Sequence, residues 1–140
     1  VSAAIEFAVV NLKVQNIAIL GHRQCGGIRS LFDEASLADS GFVKYWMSIA
    51  KPAKERALQK FPQAEFDQLC RECEKESIIT SIENLKTFPF VHKALSSEQL
   101  ELHGLYFDIQ KGELSAYDET LKEFSTVITE RVTAVSSNEE

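Results

Sequence analysis

No stretch of this chain stays apolar for anything near the roughly 18 residues that a membrane-spanning helix requires. Positive charge is also short. Fifteen Lys and Arg stand against 21 Asp and Glu, a formal net charge of -6, which leaves no basic footprint for nucleic acid. Cysteine is scarce and odd in number, at Cys25, Cys70 and Cys73, and the first residues show no basic-then-apolar leader. Together these favour reduced thiols in a cytoplasm-like compartment over a disulfide framework. Internal repeats and low-complexity segments are absent. So is an initiator Met: Val1 leads at once into Ser2-Ala3-Ala4-Ile5-Glu6-Phe7-Ala8, already the first turns of a helix, so a segment upstream of Val1 is expected.

What is present is an ordinary globular composition, 44% hydrophobic and 26% charged over 140 residues. That is enough for one domain with a sizeable core and too little for two. The domain is expected over residues 1–135, with 136–140 a frayed tail.

The chain is organised around Ile17 to Leu31, IAILGHRQCGGIRSL. Ile17-Ala18-Ile19-Leu20 is too brief for a helix and typical of a buried strand. Gly21 breaks the run, and His22, Arg23, Gln24 and Cys25 follow before Gly26-Gly27. Ile28, Leu31, Phe32 and Ala35 then recur at helical spacing. The stretch reads strand, tight turn, helix, and ligands bind outside the carboxyl ends of strands in open α/β sheets.

Around it, Ser2 is expected to cap a helix through about Leu12. Ser40 is expected to cap one carrying Phe42, Val43, Trp46, Ile49 and Ala50, after a loop from Ala38 to Gly41. Pro52 suits the first turn of a helix reaching Phe61. The longest helical pattern runs from about Glu65 to Lys86, with Phe66, Leu69, Cys70, Cys73, Ile78, Ile82 and Leu85 inward. Pro89 is read as its stop, and Phe90 to Leu95 as a short turn. Leu100 to Ile109 reads as a strand whose phase shift at Gly104 suggests a bulge. Glu113 to Tyr117 returns as its hairpin partner. Asp118 is expected to cap a last helix bearing Leu121, Phe124 and Ile128.

His22 and Cys25 offer two ligands of the kinds zinc prefers, imidazole nitrogen and thiolate sulfur. Gly26 and Gly27 let the backbone approach a bound species, and a helix N-terminus favours both a nearby anion and a thiolate. Two other readings stay open: a buried Cys beside a surface His, and a redox-active thiol at Cys25. Cys70 and Cys73 form C-x-x-C within a helical pattern where both face the core, so packing is the better reading. His92 and His103 are read as structural. A catalytic zinc needs three protein ligands and a structural one four, so the donor set is at least one short.

At these residues the chain resembles the β-class carbonic anhydrases. The resemblance rests on Ala4-Ile5-Glu6-Phe7-Ala8-Val9, Leu12, Val14, Ile17, Gly21-His22 and Cys25-Gly26-Gly27-Ile28. It continues through Trp46 to Ala53, Glu76 to Pro89, and His103 to Ile109 with Gly112-Glu113-Leu114. It implies an α/β fold with a mostly parallel central β-sheet flanked by helices and a C-terminal hairpin. It also implies a carbonate dehydratase, in which His22 and Cys25 are two of three protein ligands to Zn2+ and a water or hydroxide holds the fourth position. Hydroxide formed there attacks carbon dioxide to give bicarbonate, with Gly26 and Gly27 shaping the floor of the substrate pocket. Homodimers or higher homo-oligomers are implied as well. The family's remaining ligand and an Asp–Arg pair belong to a C-x-D-S-R motif that would precede Val1. These residues alone are therefore expected to be inactive. The alternatives are a non-catalytic dimerising or anion-binding module of the same fold, and a thiol-based redox protein.

Overall fold

The computed structural model describes residues 1–33, 35 and 41–129. The expected cap at Ser40, most of the loop before Gly41, and the tail at 136–140 lie outside them. Among the described residues no helix is long and apolar enough to cross a membrane.

The chain opens with α1 (Ser2–Glu6), which widens into a π-helical turn over Phe7–Asn11. There the N–H of Leu12 reaches back five residues to the Phe7 carbonyl at 3.0 Å. This matches the expected helix in extent, although Ser2 lies inside it and makes no side-chain cap. Strand β1 (Asn16–His22) follows, then α2 (Gly26–Ser30), α3 (Phe42–Ser48), α4 (Lys51–Lys60), α5 (Phe66–Lys86) and α6 (Pro89–Ser96). The chain closes with β2 (Glu101–Asp108), β3 (Glu113–Asp118) and β4 (Glu123–Thr129).

The fold is α/β, with four strands among the described residues, in the order β1-β2-β3-β4. The sheet is mixed. β1 and β2 are parallel, whereas β2–β3 and β3–β4 are antiparallel, so the expected predominance of parallel pairs holds only for the β1–β2 half. Among the described residues β1 is an edge strand, and its residues alternate between exposed and half-buried instead of being buried on both faces. Ile19 and Gly21 face α5, while Leu20 is 63% exposed.

Other expectations are corrected as well. Pro89 does not merely stop α5; it opens α6 at a position where a missing N–H costs nothing, so Phe90 to Leu95 is helical. Gly104 carries no bulge, since β1 and β2 pair one-to-one from Asn16↔Glu101 to His22↔Phe107. The irregularity falls instead between Leu114 and Ser115, against β4. Asp118 caps no helix. Its carboxylate accepts the N–H groups of Thr120 and Leu121, and Lys122 takes a left-handed φ of 57°, turning the chain into β4. The helical spacing of Leu121, Phe124 and Ile128 yields to the strand preference of Phe124-Ser125-Thr126-Val127-Ile128. The helix after Gly26-Gly27 is also shorter than expected, ending at Ser30 and not Ala35.

Helix α5 is the spine. Ile78 and Ile82 pack with Tyr106 under the sheet, and Cys73 joins Ile28, Leu31, Met47, Ala53 and Ala57 on the other side. Each fully buried aliphatic side chain contributes about 1.5–3 kcal/mol. Phe66, expected inward, is half-exposed and meets Phe32 edge-on and the Arg29 guanidinium. α4 is clasped to α5 by Glu76, whose carboxylate accepts from Arg56 at 2.8 Å and Lys60 at 2.6 Å. Val9, Val91 and Leu100 close a separate cluster where α1 and α6 meet the start of the sheet.

Candidate metal centre

The parallel pair β1–β2 brings two carboxyl ends side by side, His22 opposite Phe107. From there the chain turns into α2 through Arg23, Gln24 and Cys25. Gln24 sits at a left-handed φ of 59°, a conformation that favours glycine, so the turn is held by partners outside itself. The N–H of Arg23 donates to the Phe107 carbonyl at 2.9 Å, and its guanidinium to Asp108 at 2.8 Å. The N–H of Cys25 donates to Oε1 of Glu74 at 2.9 Å, and the Tyr106 hydroxyl donates to Oε2 of the same carboxylate at 2.8 Å.

His22 is exposed, and its Nδ1 lies 3.0 Å from the carbonyl oxygen of Arg23. A carbonyl only accepts, so in this contact Nδ1 is the donor, which leaves Nε2 as the ring nitrogen that faces a metal. Cys25 is the residue before the first turn of α2 and is half-buried against the Ile28–Met47 cluster. Both side chains line one cleft of about 270 Å³, walled by Leu20, Trp46, Ile49 and Glu74 among others. Gly26 and Gly27 form the start of α2 directly after Cys25. A Cβ on Gly27 would fall 2.8 Å from Met47 Sδ, whereas one on Gly26 would meet open space. Of the two, only Gly27 has a close neighbour, the flexible end of the Met47 side chain.

Burial pushes the Glu74 carboxyl up; the Tyr106 hydroxyl and the N–H groups of Cys25 and Gln24 only partly offset it. The Tyr106 phenol is raised as well, by burial and by its hydrogen bond to Glu74. Asp108 is pushed up by its burial but is held below the usual carboxylate range by Arg23 and by the N–H groups of Lys111 and Gln110.

The remaining candidates lie elsewhere. Cys70 and Cys73 are buried on α5, and desolvation raises both thiols, Cys73 to about 12, so neither offers a thiolate. His92 is on α6, in contact with Ser96. His103 reaches Asn16 Oδ1 at 2.7 Å, tying β2 to the opposite end of β1. In kind, imidazole and thiolate fit zinc. In number they fall short, because among the described residues no group of three or more His, Cys, Asp or Glu converges as a metal site.

Sequence reasoning missed Glu74, Tyr106, Arg23 and Asp108. One signal was there for Glu74: it stands four residues after Cys70 and four before Ile78, in phase with the inner stripe of α5.

The family model for carbonic anhydrase matches residues 1–114. Beta carbonic anhydrase 3 of Arabidopsis thaliana is 34% identical over 121 residues, which are 84% of this chain and 47% of that protein. The chain belongs to the β-class carbonic anhydrases. Solved β-carbonic anhydrases agree in fold. CcaA superposes with a TM-score of 0.84 at 31% identity, over 91% of this chain and 58% of that one. A tetrameric β-carbonic anhydrase from Sordaria macrospora gives 0.65 at 28% identity, over 82% and 58%. The chain thus spans about half the length of the β-carbonic anhydrases it resembles.

Proposed function

We propose that this β-carbonic anhydrase chain belongs to an enzyme for the zinc-dependent, reversible hydration of carbon dioxide to bicarbonate and a proton. The observation that carries the reading is the pairing of His22 and Cys25 on one cleft at the carboxyl end of β1, with the His22 Nδ1 proton committed to a carbonyl. His22 Nε2 and Cys25 Sγ would hold the metal. Zinc there supplies water activated for attack near neutral pH. The chain's own part is to fix those donors and to offer carbon dioxide, a small apolar substrate, the walls formed by Leu20, Trp46 and Ile49. Gly26 and Gly27 are proposed to shape the floor of that pocket.

A third ligand has to join these two. β1 supports this, because its side away from β2 has no strand partner among the described residues and is free to take one. We place the missing ligand on a segment pairing there, and the 140 residues alone should then neither hold stoichiometric zinc nor hydrate carbon dioxide. Phe42 and Trp46, 94% and 70% exposed on α3, favour a homodimer or higher homo-oligomer, which would cover them. Three free thiols suit a reducing, cytoplasmic setting.

The two-donor count favours one other reading, a non-catalytic module of the same fold that dimerises or binds an anion. Zinc content and carbon dioxide hydration, measured on the full-length natural protein, decide between them. About one zinc per chain with turnover supports the enzyme; no zinc and no turnover supports the module.

A further inference from the structure

Glu74 is 2% exposed, yet it is a carboxylate in the middle of α5 with both oxygens engaged. Burying a carboxylate is costly unless its oxygens are satisfied, and here they are satisfied by two groups distant in sequence. One is the Cys25 N–H at 2.9 Å and the other is the Tyr106 hydroxyl at 2.8 Å. The Cys25 N–H lies ahead of α2 and belongs to no helical ladder, and the residue before it is the left-handed Gln24. The turn from His22 to Cys25 is thus pinned at its start by β2, through Arg23 and Phe107, and at its end by α5, through Glu74.

We propose that Glu74 is a positioning residue for the metal loop: by accepting the Cys25 N–H it holds the Cys25 thiol in register with the His22 imidazole. This rests on the reading of His22 and Cys25 as zinc donors. Tyr106 serves by fixing the Glu74 rotamer from the opposite oxygen. What the role needs is an acceptor oxygen at Oε1, not a negative charge. A glutamine offers the same oxygen to Cys25 and an amide N–H toward Tyr106, whereas alanine offers neither.

The test uses the 140-residue chain, ¹⁵N-labelled, in wild-type, Glu74→Gln and Glu74→Ala forms. Amide hydrogen exchange is read at Cys25, with the amides of Ile78 and Ile82 on α5 as the control for an intact fold. Exchange at Cys25 should quicken at least about fivefold in Glu74→Ala and stay near wild type in Glu74→Gln. Should the alanine variant not fold, Glu74→Met fills the same space without an acceptor and is read the same way. Cadmium titration of the metal-free full-length natural protein in the same three forms, followed by the ultraviolet thiolate-to-cadmium band, is the second readout. Affinity should fall about tenfold or more in Glu74→Ala and recover in Glu74→Gln. Unchanged Cys25 exchange in Glu74→Ala, or a glutamine variant as loose as the alanine one, overturns the proposal. A wild-type thiolate band that persists in Cys25→Ser overturns the donor reading instead, and leaves the exchange result to judge Glu74 by itself.

Discussion

The guanidinium of Arg23 lies 2.8 Å from the carboxylate of Asp108, joining the residue after His22 to the last residue of β2. Both side chains are largely buried, so each is the other's principal partner. Removing the carboxylate with Asp108→Ala leaves that guanidinium uncompensated and should cost about 1–3 kcal/mol in urea unfolding. The pair also sets a pH dependence. Arg23 and the N–H groups of Lys111 and Gln110 outweigh burial and depress the Asp108 carboxyl. A depressed carboxyl contributes stability that is complete above its unfolded value of about 3.9 and is lost as pH falls through the lower folded value. The stability gap between wild type and Asp108→Asn should therefore be wider at about pH 6 than at about pH 3. A gap that widens toward acid would contradict the assignment.

Gly21, one residue before His22, is required by its neighbour on α5. An ideal Cβ there would lie 2.7 Å from Ile78 Cδ1 and 2.8 Å from Cγ1, and Ile78 is itself buried. Gly21→Ala should destabilise by about 1–3 kcal/mol through overpacking. Ile78→Ala removes both Cδ1 and Cγ1, so the double variant should be more stable than the sum of the two single effects predicts. Simple additivity in thermal or urea unfolding would show that the two residues do not press on each other.

The three thiols should separate by reactivity. Cys25 is half-buried at the cleft, whereas Cys70 and Cys73 are buried and their thiols are raised, Cys73 to about 12. At neutral pH iodoacetamide should label Cys25 first, with the α5 pair reacting only on unfolding. Cys73→Ala should then cost packing alone, about 1–3 kcal/mol, and leave Cys25 labelling unchanged. Mass spectrometry of the labelled peptides reads all three.

How much of this was legible beforehand follows the range over which each signal acts. The strand–turn–helix at His22–Cys25 was readable because an apolar run, a glycine break and a helical repeat stand next to each other. Helices α4 and α5 fell within a residue of their expected bounds, where periodicity is long and prolines flank it. Pro89 and Asp118 were misread because each residue serves two purposes. Proline both ends and begins helices, and a short carboxylate caps a turn as readily as a helix. Gly104 was misread for a different reason. Its cause is not in the strand at all but in Ile78 and Ile82, whose side chains lie 2.9 and 3.0 Å from where its Cβ would be. Glu74 stayed hidden among Glu72, Lys75 and Glu76, in a stretch that reads as a solvated face. Its partner Cys25 is 49 residues away in sequence, beyond any local pattern.

The central claim is that His22 and Cys25 are zinc donors of a carbon dioxide hydratase. It is tested most directly by metal analysis and carbon dioxide hydration of the full-length natural protein, beside its His22→Ala and Cys25→Ser variants. The account predicts about one zinc per chain and turnover in the wild type, with both lost in either variant, because too few donors then remain. Stoichiometric zinc retained in both variants would contradict it.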